Sequence, residues 1–300
     1  MISILIPVYN YNIKMLIENL LSQFEDIDCK WEILISDDAS KEEIKKNNSD
    51  FIKNLNLRSI KLFQQEENIG NASNRNVLIQ RASFNWLLFL DADVLPVSTN
   101  FLTNYIKHMQ SATQDIIAGS IKYDDQNPLP HLLRWKYGMQ KEQVPFIERK
   151  NNKVLHARGA NFAIKRELAQ KVNFPVLKEN YGFVDTCFFL QFNKDQFDVI
   201  ENPVFHLGLE PNIIFLQKTK KAIVNALFLL NSGNGLYKRI SIISMYQKMR
   251  VFKGVFAKIY LWVHKLLESK LLSKKPSILI FQLYKVLYIS NLDVNKDRLQ

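Results

Sequence analysis

The sequence predicts an α/β protein, with a mostly parallel, Rossmann-like sheet flanked by helices and a basic helical extension at the C-terminal end. Three observations carry this. Over the first 120 residues, short apolar runs alternate with longer amphipathic stretches. The polar residues suited to chemistry fall just after the apolar runs. Charge is split along the 300-residue chain: 16 of the 40 Lys and Arg, but only 3 of the 29 Asp and Glu, lie from Gln217 onward, giving +13 there and −2 before it.

The runs Ile2–Val8, Trp31–Ser36, Ser59–Phe63, Trp86–Leu90 and Asp115–Ile121 are short, nearly continuous in apolar or β-branched residues, and read as strands buried on both faces. Between them, Lys14–Phe24, Glu42–Leu55, Asn71–Arg81 and Asn100–Gln110 carry helical spacing. Strands that alternate with helices must be joined by crossovers, which makes their sheet parallel, and such sheets bind ligands at the carboxyl ends of their strands. The stretch from Tyr123 to Lys153 is polar and rich in Pro, aromatic and basic residues, and reads as a long functional excursion from the sheet. Order resumes at Val154–Ala157, Asn161–Lys165 and Tyr181–Phe192. A boundary near Pro211–Gln217 divides a sheet-bearing domain, 1–215, from a basic helical region, 216–300.

Several classes are excluded. With 47% apolar and 23% charged residues, the chain supports a packed core. Cys29 and Cys187 fit neither a disulfide framework nor a CxxC metal site, in keeping with a reducing, cytoplasmic setting. The strand-like run that follows Met1 lacks the features of a signal peptide. No window offers about 18 uncharged apolar residues for a spanning helix. The basic tail is unaccompanied by any helix-turn-helix, zinc or RNA-binding signature, which argues against nucleic acid as a partner.

Four loops after predicted strands carry the chemistry: Pro7-Val8-Tyr9-Asn10, Asp37-Asp38-Ala39-Ser40, Glu67-Asn68-Ile69-Gly70-Asn71 with Arg75-Asn76 on the helix it opens, and Asp91-Ala92-Asp93. Asp91 and Asp93 are hard oxygen ligands at a strand end, a spacing that can hold Mg²⁺ or Mn²⁺ against phosphate oxygens. A plain strand-end turn with capping aspartates is the alternative. Asp37 or Asp38 can accept from a nucleobase N–H, or can close an Asx turn with Ser40.

The set PVYN, ISDDAS, NIGNASNRN and FLDADV resembles the family 2 glycosyltransferases, with their GT-A fold, across roughly the first 120 residues, with weaker matches to about residue 220. The resemblance implies transfer of sugar from a nucleotide diphosphate sugar, UDP-sugar foremost, with a divalent cation, Mn²⁺ or Mg²⁺, at the diphosphate. It implies that Pro7 and Tyr9 border the nucleoside, that Asp37 or Asp38 meets the base, and that Asn68, Arg75, Asp91 and Ala92 lie beside the nucleotide. Asp91 and Asp93 then meet the metal and diphosphate. The family's inverting base is commonly the Asp of a Glu-Asp pair before a helix. Asp185 matches that Asp, and Val184 stands where the Glu would be. Arg158 to Arg166 resembles the strand behind the donor sugar, which places Gly159 and Asn161 by sugar or acceptor. In some related enzymes a His in the region of His206 is a third metal ligand. The segment NPVFHLGLEPN with FLQKT resembles a bacterial subgroup that builds surface polysaccharides, whose acceptor is a saccharide or lipid-linked saccharide.

Residues 236 to 290 mix Lys and Arg with aliphatic and aromatic side chains, and are expected to lie on an anionic cytoplasmic membrane surface, with Phe252, Tyr260 and Trp262 contributing apolar insertion. A packed helical subdomain with a solvated basic face is the alternative. Two other functions compete with transfer. One is a degenerate scaffold or regulator, suggested by Val184. The other is a nucleotidyltransferase, disfavoured because Pro7-Val8-Tyr9-Asn10 is not a Gly-rich phosphate loop.

Overall fold

The computed structural model describes residues 1–25, 27–126 and 128–295. Asn127 of the polar excursion, and Lys296, Asp297 and Arg298 of the tail charge, lie outside the described residues. The chain divides into two compact units: Met1–Tyr123, Gln143–Val176 and Gln191–Gly208 form one, and Asp124–Glu142, Leu177–Leu190 and Leu209–Gln300 the other.

The first unit holds an eight-stranded mixed sheet in the order β3-β2-β1-β4-β7-β6-β8-β5. Its strands are β1 (Ile2–Val8), β2 (Trp31–Asp37), β3 (Ile60–Gln64), β4 (Trp86–Leu90), β5 (Val94–Pro96), β6 (Ile116–Lys122), β7 (Asn161–Lys165) and β8 (Phe197–His206). The five strands expected from apolar runs are present within a residue or two. β1, β2 and β4 are buried almost throughout, as a sheet covered on both faces requires. β3, with only Ile60 fully buried, is the edge. β1 to β4 pair in parallel. β7 runs antiparallel to β4 and β6, and β5 antiparallel to β8.

Helices α1 (Lys14–Phe24), α2 (Glu42–Leu55), α3 (Gly70–Arg81) and α4 (Phe101–Ser111) follow the expected spans closely. α1 turns Leu16, Ile17, Leu20 and Phe24 inward, the i, i+1, i+4, i+8 set of a helix with one apolar face. α2 stops at Asn56, whose left-handed backbone (φ 50°) returns its N–H to the Lys53 carbonyl. Strand order reverses between β1 and β4, where the chain crosses from β3 through α3. The crevice at their carboxyl ends is therefore the topological switch point.

The remaining helices are α5 (Leu133–Lys141), α6 (Phe146–Asn151), α7 (Lys153–His156), α8 (Arg166–Val172), α9 (Val184–Phe189), α10 (Asn212–Asn231), α11 (Ser241–Met249), α12 (Lys253–Leu271) and α13 (Ile278–Val294). The polar excursion thus carries the helices α5 and α6. α5, α9 and α10 to α13 belong to the second unit, which draws in residues 124–142 and 177–190 from well before the boundary expected near 215. Its core gathers Leu133, Phe215, Leu216, Tyr260, Leu267, Leu271, Phe281, Tyr284 and Leu287. Asp293 of α13, almost fully buried, accepts from the Tyr246 hydroxyl and from Arg250 and Lys253, binding α11 and the start of α12 to α13. A buried carboxylate is tolerated because several donors satisfy it. Among the described residues, no helix is long and apolar enough to cross a membrane.

Candidate active site

The loops at the carboxyl edge of β1, β2 and β3 are tied to one another. Asn10, in the left-handed region at φ 53°, accepts from the Lys41 amide through its side chain and donates its own amide to the Ser40 hydroxyl. Asp38 donates its amide to the Val8 carbonyl, and Gln65 donates to the Asp37 carbonyl. The two aspartates divide the work. Asp37 Oδ1 accepts from the Ser40 amide at 2.8 Å, the Asx turn foreseen in the sequence. Its other oxygen is buried with no hydrogen-bond partner among the described residues. Asp38 accepts from the amides of Ile69 and Gly70 at 2.7 and 3.0 Å, fixing the start of α3. Burial pushes the Asp38 carboxyl above its ordinary pKa, and those two amides offset part of the rise. Asn68 donates its side-chain amide to the Asp38 carbonyl, and Pro7 and exposed Tyr9 border the same edge.

α3 turns Arg75 inward. Its guanidinium is buried, lies 5.4 Å from the centre of the Phe174 ring and pairs with Asp91 Oδ1 at 2.5 Å. Asn76, next on α3, holds Phe174 by a reciprocal pair of hydrogen bonds with its backbone. The Asp91 amide donates to the Ala160 carbonyl, so the turn that contains Gly159 backs the strand end. Ala92 is buried between the two aspartates.

β5 and β8 place His206. Antiparallel pairing sets Val94 opposite His206, and the Leu207 amide donates to the Asp93 carbonyl at 2.7 Å. His206 Nε2 then stands 3.7 Å from Asp93 Oδ2, while the imidazole stacks on Tyr123 at 5.6 Å. The sequence pointed to His206 by resemblance alone; the strand pairing brings it to Asp93. Asp93 and His206 are an oxygen and a nitrogen donor side by side, which suits Mg²⁺ or Mn²⁺ with phosphate oxygens completing the shell. Among the described residues no three His, Cys, Asp or Glu side chains converge as a full cage. Asp91, expected from the sequence to meet the metal together with Asp93, is turned to Arg75.

Two residues that sequence reasoning missed shape this corner. Tyr11 has its hydroxyl pKa pushed up by burial and then by the Asp93 charge, which marks it as a neighbour of that carboxylate. A Cβ on Gly208 would run into the Asp93 carboxylate. Gly208→Ala is therefore expected to displace Asp93 with little change in melting temperature, because Asp93 is partly exposed and free to swing. Turnover should fall at least roughly tenfold, since small misplacements of reacting groups are costly. Steady-state kinetics beside a thermal melt checks this.

Asn161 does not take up its expected place by sugar or acceptor. It is fully buried, accepts from the Tyr105 hydroxyl and donates to the carbonyls of Ser120 and Asn202. Both of its side-chain amide hydrogens serve the β6-β7-β8 junction, so its role there is architectural.

Asp185 lies in the second unit, in the first turn of α9. Gly182 and Phe183 ahead of it both have positive φ, 93° and 67°. A left-handed Phe is strained, and such strain concentrates where geometry serves function. Asn225 of α10, fully buried, holds this loop: it accepts from the Glu179 amide and donates to the carbonyls of Glu179, Tyr181 and Gly182. Nothing in the local sequence signals Asn225, which lies more than 40 residues from the loop it secures. Asp185 Oδ1 accepts from the Thr186 amide. Val184 is buried. Val184→Glu is therefore expected to destabilise the protein by about a few kcal/mol, read as a lower melting temperature, because the carboxylate would be taken out of water. Unchanged stability with equal or higher turnover would mean that the position still faces the site.

The family model for glycosyl transferase family 2 matches residues 3–172. No curated protein matches. Among solved structures, the mannosyltransferase PcManGT from Pyrobaculum calidifontis, in complex with GDP-Man and Mn²⁺, aligns with a TM-score of 0.62 at 14% identity over 100% of this chain and 88% of its own. TarS 1–349 of S. aureus, in complex with UDP-GlcNAc, aligns at 0.51 and 16% identity over 99% and 92%. Of the longer TarS chain, this protein spans 39%. Glucosyl-3-phosphoglycerate synthase from Mycobacterium tuberculosis, with Mn²⁺, UDP and glucosyl-3-phosphoglycerate, aligns at 0.52 and 14% over 76% and 78%. At these identities the likeness is one of fold, and the fold is GT-A. The match over more than half of the sequence, on a sheet with its polar loops at the switch point, makes this chain a member of glycosyl transferase family 2.

Proposed function

We propose that the protein is an inverting, metal-dependent transferase, a hexosyltransferase or N-acetylhexosaminyltransferase, that moves sugar from a UDP-sugar to a saccharide or lipid-linked saccharide in surface polysaccharide synthesis. The observation that carries this reading is the placement of Asp93 3.7 Å from His206, beside the Asp91–Arg75 pair, at the carboxyl edge of the sheet. In keeping with it, TarS 1–349 and glucosyl-3-phosphoglycerate synthase bind UDP-GlcNAc and UDP, and the latter and PcManGT carry Mn²⁺.

In this reading Asp38, beyond the end of β2, takes the base N–H with lone pairs its two amide contacts leave over, and Pro7 and Tyr9 flank the nucleoside. Arg75 neutralises Asp91, so that this pair sets no net negative charge against the diphosphate. A divalent cation held by Asp93 and His206 would stabilise charge on the leaving diphosphate. The Asp185 carboxylate takes the proton from the acceptor hydroxyl as its oxygen bonds to the anomeric carbon. The bond from that carbon to the phosphate oxygen breaks, and the electron pair leaves with the nucleoside diphosphate. One displacement inverts the anomeric configuration. Residues 1–215 do this work, and the basic region 216–300 brings the protein to the inner face of a cytoplasmic membrane, where a lipid-linked acceptor resides.

The test is a panel of nucleotide sugars incubated with protein, Mn²⁺ and simple saccharides, with NMR of the released or transferred sugar. A UDP-sugar turned over with the anomeric configuration inverted bears the reading out. A retained configuration overturns the single displacement. No turnover of any donor would favour the scaffold reading, which rests on buried Val184.

A further inference from the structure

We propose that the outward face of α12 is the surface by which this protein sits on an anionic lipid bilayer, with Trp262 as its central anchor. The inference rests on the membrane partner named above and not on the transfer chemistry. At 3.6 residues per turn, Val255, Ile259, Trp262 and Leu266 fall within about 60° of one another on the helix. All four are exposed, Trp262 at 89%, and exposed Phe252 extends the row by one turn. The opposite side of α12 carries Ala257, Tyr260, Leu267 and Leu271, all buried in the core of the second unit. Tyr260, expected from the sequence to insert into lipid, is therefore a core residue, and its pKa is raised by that burial. One helix presents two apolar faces, and only one is covered within the described residues.

Charge decides what covers the other. Helical geometry puts Lys258 and Lys265 on one flank of the row and Lys270 on the other, all exposed. The two described acidic residues from Gln217 onward do not neutralise them: Glu268 pairs with Lys220 and the Tyr284 hydroxyl, and Asp293 is taken by Arg250 and Lys253. A second copy laid on this face would set its own lysines against these. An anionic headgroup layer complements them, while the apolar row reaches the acyl boundary, the arrangement of an interfacial helix. An indole at that depth keeps its N–H toward water and its rings in the apolar layer.

The full-length protein is to be sedimented with phosphatidylcholine vesicles, with and without phosphatidylglycerol, at low salt. The wild type is expected to bind only the anionic vesicles. Trp262→Ser should weaken binding roughly tenfold or more, and Lys258→Gln with Lys265→Gln by roughly thirtyfold. Thermal melts and donor hydrolysis in solution should be unchanged in both, because these side chains are exposed and are not among the residues proposed for the site; lost hydrolysis in the wild type would instead bear on the transferase reading. Brominated acyl chains should quench fluorescence in the wild type more than in Trp262→Ser. Equal binding by Trp262→Ser, or no binding by the wild type, overturns the proposal. So does a dimer in lipid-free solution that Trp262→Ser converts to monomer, which would make the face an interface between copies.

Discussion

Asp93→Asn is expected to remove nearly all transfer while the protein folds and melts as before. Asp93 is partly exposed, and its Oδ2 stands 3.7 Å from His206 Nε2, beyond hydrogen-bond distance, so an amide of the same shape costs the fold little. It costs the site a full negative charge among the donors that would hold the cation. Charge stabilisation of a leaving diphosphate by a metal is worth several kcal/mol, and each ~1.36 kcal/mol is a factor of ten in rate. A fall of at least roughly a hundredfold follows. The readout is turnover against Mn²⁺ concentration. Near-normal turnover with unchanged metal dependence would remove Asp93 from the site.

Asp185→Asn is expected to fall by a similar factor for a different reason. An amide cannot take the acceptor proton, and general-base catalysis contributes about 10² to 10⁴ in rate. Donor affinity should barely change, because the residues proposed to hold the nucleotide lie in the loops of the first unit. The substitution keeps an oxygen able to accept from the Thr186 amide, so the start of α9 should survive. A variant that binds donor poorly and turns over normally would show that Asp185 serves only the helix. The contrast between the two aspartates, metal response for one and rate alone for the other, separates their roles.

The parts of the fold that repeat a local rule were legible in the sequence. β1, β2 and β4 are uninterrupted apolar runs because both faces are covered, and α1 to α4 show the period of a one-faced helix. What escaped notice depends on partners distant in sequence. β5 is three residues ending in Pro96, a strand only because β8 pairs with it. That β7 runs antiparallel between β4 and β6 is set by where the chain returns, not by its composition. Tyr260 and Trp262 look alike in a basic, aromatic stretch, yet they lie about 160° apart on α12, one in the core and one in solvent.

The site divides in the same way. In the first unit Arg75 pairs with Asp91, and His206 stands beside Asp93. Asn161 was named because Arg158 to Arg166 resembles the strand behind the donor sugar, and it is buried where three strands meet. Gly208 and Asn225 carried no local signal, since what each does is set by one close neighbour, the Asp93 carboxylate for Gly208 and the 179–182 backbone for Asn225.

The most direct test of the central claim is the affinity of the protein for UDP, measured by titration calorimetry after chelation and again with Mn²⁺ restored, in the wild type and in His206→Ala. Metal held by Asp93 and His206 predicts UDP binding at least roughly tenfold tighter with Mn²⁺ in the wild type, and most of that gain lost in His206→Ala. Equal UDP affinity with and without metal, or a gain that His206→Ala leaves intact, would contradict it.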